Sequence, residues 1–168
     1  MSPEKTAVAG KVQVRPATPA DAEAIHGFIL ALAEYEKLLD EVDASQADVA
    51  AALFGDQPRA FCDIALADGA PVGFALWFYN YSTFRGRHGI YLEDLFVIPQ
   101  ARGLGAGKAL LRALALRCEA EGLARLEWSV LDWNAPAIAF YDSLGAGAQS
   151  GWTVRRLTGA PLKALAES

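Results

Sequence analysis

The feature that most limits how this chain can fold is a strand, glycine loop and helix running from Tyr91 to Glu121. Tyr91-Leu-Glu-Asp-Leu-Phe-Val-Ile-Pro99 is β-branched and aromatic and closes on proline, so it reads as a strand. Ala109 to Glu121 sets Leu110, Leu111, Leu114 and Cys118 at helical spacing, with Lys108, Arg112 and Glu119 on another face. Between them lies Gln100-Ala-Arg-Gly-Leu-Gly-Ala-Gly-Lys108. A loop of this kind aims unpaired backbone N–H groups and the positive end of a helix at one place, which suits a phosphate-bearing ligand. The same glycines would also serve a helix that is merely capped.

Spacing separates the possible ligands. A triphosphate loop needs G-x-x-x-x-G-K-[ST], but Arg102 occupies the first glycine position and Ala109 replaces the magnesium-binding hydroxyl. A dinucleotide fingerprint needs G-x-G-x-x-G; Gly103 and Gly105 begin it and Lys108 breaks it. What fits is [Q/R]-x-x-G-x-[G/A], twice over, from Gln100 through Gly103 to Gly105 and from Arg102 through Gly105 to Gly107.

At 168 residues, 53% hydrophobic and 21% charged, the chain has the makeup of one soluble domain with a proper core. Its longest apolar run, around Val72 to Tyr79, is far short of the ~20 residues that cross a bilayer. Residues 1–10 lack the apolar core of a signal peptide and read as a disordered tail before a single domain at 11–168, so the expected location is cytoplasmic. Cys62 and Cys118 form no close pair, and His26 and His88 are too few for a metal site. Cys118 falls on the apolar side of its helix and is expected as buried filler. A net charge of −5 argues against nucleic acid, while Arg102, Lys108 and Arg112 supply local positive charge for an anionic ligand.

In chain order, Val12 to Pro16 is a strand, and Thr18-Pro19-Ala20-Asp21 starts a helix carrying Ile25, Phe28, Ile29, Leu32 and Tyr35. Ser45-Gln-Ala-Asp48 caps a short helix ended by Gly55 and Pro58. Ala60 to Ala67 and Val72 to Tyr81 form a hairpin about Asp68-Gly69, and Arg85 to Gly89 is a turn. Arg125 to Leu131 and Trp152 to Thr158 are expected strands, and Pro161 to Ala166 a final helical turn. The order is that of a mixed α/β fold: antiparallel hairpins, then a parallel unit around the glycine loop.

Asn134-x-x-Ala137-x-x-Phe140-Tyr141-x-x-x-Gly145 is a second signature, in which Asn134 caps a helix and Phe140 is expected in the core. Together with the loop it resembles the GNAT N-acyltransferase superfamily over essentially the whole chain from Val12. The nearest resemblance is to the diamine (spermidine/spermine) and thialysine Nε-acetyltransferase branch, through Leu32 to Glu36, Tyr79 to Arg87, Tyr91 to Val97, Val130 to Asn134 and Phe140-Tyr141. Polyamine enzymes tend to carry an Asp before a Pro-Trp pair where this chain has Ser82-Thr83-Phe84, so the match leans to the thialysine type.

The resemblance implies a mainly antiparallel central sheet, flanked by helices, with a parallel pair splayed at the acetyl-CoA site. It implies transfer of acetyl from acetyl-CoA to a primary amine, with no metal and a homodimeric assembly. Backbone of Arg102, Gly103, Leu104, Gly105, Ala106, Gly107 and Lys108 would hold the pyrophosphate, with changes at Leu104 or Ala106 tolerated and bulk at Gly105 not. Backbone of Leu95, Phe96 and Val97 would run along the pantetheine, and Asn134 and Tyr141 would complete the cofactor side. Glu93 would take the proton of an amine whose ordinary pKa is ~10.4, with Tyr35 and Glu36 lining the amine site. Tyr141 would give the departing thiolate a proton. Glu93 and Asp94 face opposite sides of a regular strand, so only a bulge would bring both to one site. Two rival readings share the loop: a non-catalytic acyl-CoA-binding module, and an acetyltransferase for peptide or protein amines. The aromatic Trp77 to Phe84 stretch, set beside Tyr35-Glu36, favours a narrower site for a small amine, and exposed aromatics there or at Trp152 would serve a dimer.

Overall fold

The computed structural model describes residues 11–168; the expected tail at residues 1–10 lies outside them. The chain divides into two compact units, residues up to Ser129 and Val130–Ser168, and each is taken on its own.

The first unit contains β1 (Val12–Pro16), α1 (Ala22–Tyr35), α2 (Gln46–Phe54), β2 (Phe61–Ala67), β3 (Ala70–Ser82), β4 (Arg87–Val97), α3 (Ala106–Glu121) and β5 (Leu126–Trp128). The strands lie in the order β1-β2-β3-β4-β5, antiparallel throughout except for the parallel pair β4–β5. Local chemistry sets the turns. Asp68 and Gly69 both take positive φ (51° and 82°), the geometry that reverses a two-residue hairpin without splaying its strands. Asp21 accepts from the Thr18 N–H at 2.7 Å and from both ends of the Arg15 guanidinium at 2.7 and 2.9 Å. Those donors favour its ionised form and hold its carboxyl down at about 2.

Each sheet face buries a different set of residues. Ile25 and Phe28 of α1 and Val49 and Leu53 of α2 pack with Cys62, Ile64, Phe74 and Phe96. Leu110, Leu111 and Leu114 of α3 are buried as well, as their spacing requires. Among the sheet residues that α3 covers, Trp77 Nε1 donates to Asp63 Oδ2 at 2.9 Å, and the Arg117 guanidinium lies 4.8 Å from the Trp77 ring centre. Arg117 also stands 3.7 Å from Asp63 Oδ1, so the buried carboxylate has both a donor and a counter-charge.

Several boundaries differ from the sequence reading. β4 begins at Arg87, inside the expected turn, because Ser82 Oγ accepts the Arg85 N–H and closes the hairpin earlier. α3 begins at Ala106 rather than Ala109, since Gly105 at φ +83° supplies the cap and its carbonyl accepts from Ala109 N–H at 2.9 Å. β5 covers three residues where seven were expected, and its ladder runs only from Ile90↔Leu126 to Leu92↔Trp128. Past Leu92, β4 keeps its partner β3 but parts from β5, which is the splayed pair the resemblance implies. Cys118 is half-buried rather than buried, with its Sγ 3.9 Å from the Arg125 carbonyl.

The second unit holds α4 (Ala135–Ser143) and α5 (Gly159–Ala166). Trp152 to Thr158 is not a strand. Alternation alone cannot make one without a ladder partner, and Trp152 and Val154 are 84% and 80% exposed.

One glycine is fixed by close packing. A Cβ at Gly89 would lie 2.7 Å from Asn80 Oδ1 and 2.8 Å from the Arg125 carbonyl, where β4 meets the entry to β5. Gly89→Ala is expected to cost about 1–3 kcal/mol, read as a lower urea midpoint at unchanged slope. Gly27→Ala, on α1 with open space around it, is expected to stabilise slightly in the same assay.

Candidate active site

A 3₁₀ turn at Pro99–Ala101 follows β4, and the chain then reaches α3 through Gly103 and Gly105, at φ +86° and +83°. A Cβ at either glycine would meet nothing within 4 Å, so the requirement there is conformational: L-residues pay about 1–2 kcal/mol for this region. The N–H groups of Ala106, Gly107 and Lys108 form the first turn of α3, where no intrahelical acceptor exists. Lys108 and Arg112 are exposed nearby. Leu104 is 42% exposed and open to substitution, but Ala106 is buried at 2%, which overturns the expectation that it tolerates change.

The strand before the loop carries a bulge at its acidic pair. Leu92 pairs with Trp77 and Asp94 with Leu76, so two steps along β4 match one along β3 and Glu93 is the extra residue. Trp77 lies under Arg117 of α3, whereas Leu76 packs against the cluster formed by α1 and α2. Leu92 therefore shares the face of α3. Asp94 stays with Leu76 on the face of α1, and Glu93 is the exposed residue between Leu92 and Asp94. In a regular strand Leu92 and Asp94 would share a face, and the bulge parts them. Burial pushes the Asp94 carboxyl up to about 6, helped by the nearby charges of Glu93 and Glu36. Burial also raises Glu36, the residue that closes the C-terminus of α1.

Tyr35 ends α1, and Arg102 comes to meet its ring. Its guanidinium carbon lies 5.3 Å from the Tyr35 ring centre and 5.9 Å from that of Phe96, and its Nε donates to the Val97 carbonyl at 3.3 Å. Trp77 and Tyr79 do not wall this place as expected. Trp77 is buried beneath Arg117, and the Tyr79 hydroxyl donates to Glu121 of α3 at 2.8 Å. Both were misassigned because alternation fixes which residues share a face but not which helix covers it.

In the second unit, Asn134 is buried and its Oδ1 accepts from the Ala137 N–H at 3.4 Å, capping α4. Tyr141 is half-buried on α4, with its ring 5.5 Å from that of Phe140. Phe140, expected in the core, is half-buried too.

The profile of the acetyltransferase (GNAT) family matches residues 23–146. The chain belongs to the GNAT acetyltransferase family. It is 38% identical to the thialysine N-epsilon-acetyltransferase of Bos taurus over 92% of this chain and 97% of that protein. It is 30% identical to an L-ornithine N5-acetyltransferase of Arabidopsis thaliana, over 91% and 87% of the two chains. An integron cassette protein from the mobile metagenome of V. cholerae is similar in structure, with a TM-score of 0.78 and 27% identity over 94% and 98%. GNAT enzymes take acetyl-CoA as co-substrate, and the loop fits that role: its two left-handed glycines keep side chains off the free N–H groups at the start of α3.

The expected residues therefore fall in two sets. Glu36, Glu93 and the glycine loop belong to the first unit, as do Leu95, Phe96 and Val97 of β4. Asn134 and Tyr141 lie on α4 of the second. The residue that sequence reasoning admits to the site only on condition of a bulge is Asp94. The signal for it was the adjacent pair Glu93-Asp94, but the bulge that turns Asp94 to the face of α1 leaves no mark in composition. Among the described residues, no helix is long and apolar enough to cross a membrane.

Proposed function

We propose that this chain, acting as one catalytic domain over residues 11–168, transfers an acetyl group from acetyl-CoA to the side-chain amine of a small amino acid of the lysine or ornithine type. The observation that carries this reading is the bulge at Glu93, which turns Asp94 to the face of α1, where the charges of Glu93 and Glu36 act on it, on the strand that leads into an anion-binding loop. Clustered carboxylates suit a cationic amine, and the loop suits a pyrophosphate.

Roles follow from chemistry. Backbone N–H groups from Arg102 to Lys108 hold the pyrophosphate, and backbone of Leu95, Phe96 and Val97 takes the pantetheine; the early end of the β4–β5 ladder supports this by leaving that edge of β4 clear of β5. Bound acetyl-CoA supplies the acetyl group as an activated thioester. Glu93, exposed on the bulge, accepts the amine proton directly or through water. Asp94 and Glu36 hold the cationic substrate, and Tyr35 lines its site. Tyr141 donates the proton that the departing thiolate takes up, with Asn134 fixing the start of its helix. Transfer is direct. Cys62 is a poor nucleophile because burial raises its thiol, and neither cysteine lies in the two motifs.

An amino acid is favoured over a polyamine by Ser82. It stands where a carboxylate would extend the channel, and its hydroxyl is occupied by the hairpin turn. The curated relatives named for thialysine and ornithine point the same way. A cytoplasmic homodimer completes the reading, supported by the exposed Tyr81 and Phe84. Rates of acetyl-CoA turnover with thialysine, lysine, ornithine, spermidine and a peptide panel test it. Amino acids are expected to lead, and a preference for peptides would overturn it.

A further inference from the structure

We propose that the pocket between α3 and the end of β1 is a second small-molecule site, one that takes a neutral, planar molecule presenting an amide edge, a carbonyl beside an N–H. The pocket lies apart from the acetyl-transfer chemistry. Trp77, in its wall, belongs to the face of α3, whereas Asp94 lies on that of α1. Arg117 stands about 16 Å along α3 from Ala106, by the rise of an α-helix. The opening has a local cause. β1 stops at Pro16, which pairs with Asp63, and the edge of β2 before Asp63 keeps only the bond from the Ala17 N–H to the Cys62 carbonyl at 2.8 Å. Phe61, Trp77 and Tyr79 of the sheet and Leu53 and Phe54 at the end of α2 wall a cavity of about 250 Å³ there. One water needs only about 15 Å³, so this space suits a single-ring molecule. The rings of Phe61 and Trp77 lie 4.8 Å apart and those of Trp77 and Tyr79 5.2 Å, which gives that molecule an aromatic wall.

Arg117 and Asp63 also line the cavity, and each brings an unused polar atom to it. Arg117 Nε is buried and has no hydrogen-bond partner. The Nη atoms of Arg117 stand 3.7 Å from Asp63 Oδ1 and 3.8 Å from Glu121 Oε1, beyond hydrogen-bond reach of either. Asp63 is 3% exposed, and its Oδ2 accepts from Trp77 Nε1. Among the described residues, its Oδ1 accepts no hydrogen bond. Leaving such groups without partners is costly, and one ligand that accepts from Nε and donates to Oδ1 satisfies both. An amide does so with neighbouring atoms of one planar group. Charge selects the same class, because Arg117 opposes a cation and Asp63 opposes an anion.

The test uses benzamide as the probe, followed through the indole N–H resonance of Trp77, which Trp77→Phe assigns. Acetophenone keeps the ring and the carbonyl and lacks the N–H; benzoate keeps the shape and carries a charge. Benzamide is expected to shift the Trp77 resonance saturably, and the other two to bind about tenfold more weakly or worse, as an unpaired or repelled Asp63 implies. Saturating acetyl-CoA is expected to leave the affinity for benzamide unchanged. Arg117→Lys keeps the charge and loses the Nε donor, and is expected to weaken benzamide by about tenfold while its circular dichroism matches the parent's. The probe series on the parent decides the matter even where that variant fails to fold. No saturable shift up to the solubility of benzamide overturns the inference and leaves the cavity to water. Acetophenone bound as tightly as benzamide overturns it as well, since the cavity would then be an apolar hole, and so does tighter binding of benzoate. Displacement of benzamide by acetyl-CoA would put the probe in the catalytic site and overturn it too, as would a folded Arg117→Lys with the parent's affinity.

Discussion

Tyr141→Phe is expected to lower kcat by about 10²–10⁴-fold while binding of acetyl-CoA persists. The size follows from what the phenol does. A thiolate leaving without a proton donor carries full charge into the transition state, and a donor of ordinary pKa ~10 lies close enough to a thiol to share it. The substitution removes one oxygen and keeps the ring, so the contact with Phe140 at 5.5 Å and the cap at Asn134 remain. The loss should appear in kcat, with equilibrium binding of acetyl-CoA near that of the parent. A variant with the parent's kcat would take Tyr141 out of the chemistry. A parent that binds acetyl-CoA and turns over no amine would mark the protein as a binding module.

The second large effect sits at Asp94 and runs in opposite directions for stability and activity. Its carboxyl titrates at about 6 in the folded chain, against ~3.9 for an unperturbed aspartate. Between these values the folded state holds a proton that the unfolded state has lost, so stability falls as pH rises from about 4 to about 6. Above that window the ionised group costs the fold up to about 3 kcal/mol, at 1.36 kcal/mol per unit of pKa. Asp94→Asn removes the charge and the cost. It is expected to be more stable than the parent at pH 8, with the difference shrinking towards pH 4, in urea unfolding at the two pH values. The same change is expected to depress kcat/KM for a cationic amine and to abolish the limb by which the parent's activity rises as pH passes about 6. A parent and variant with parallel stability curves would remove the strain from Asp94, and an unchanged pH–rate profile would remove its role with the amine.

These two residues also mark where the sequence was readable. Tyr141 lies in a spaced motif whose helix starts at a capping asparagine, and local chemistry of that kind is written in neighbouring residues. The glycine loop was legible for the same reason, since left-handed backbone at Gly103 and Gly105 demands glycine. The hairpins and the parallel step followed from Asp68-Gly69 and from the strand–loop–helix order. Asp94 was not legible. Its value depends on Trp77 and Leu76 pairing with residues two apart on β4, a long-range register that no local pattern fixes. Trp77 and Tyr79 failed for a related reason: their partners, Arg117 and Glu121, lie about 40 positions away on α3. Trp152 to Thr158 alternates like a strand, but a strand also needs a neighbour to pair with.

The most direct test of the account is the product formed from acetyl-CoA and free lysine or thialysine, followed by mass spectrometry with the acetylated nitrogen assigned. The account requires acetyl-CoA-dependent formation of a single product acetylated on the side-chain nitrogen, lost in Tyr141→Phe. Acetylation at the α-nitrogen, or no product from any free amine while peptides are modified, would contradict it.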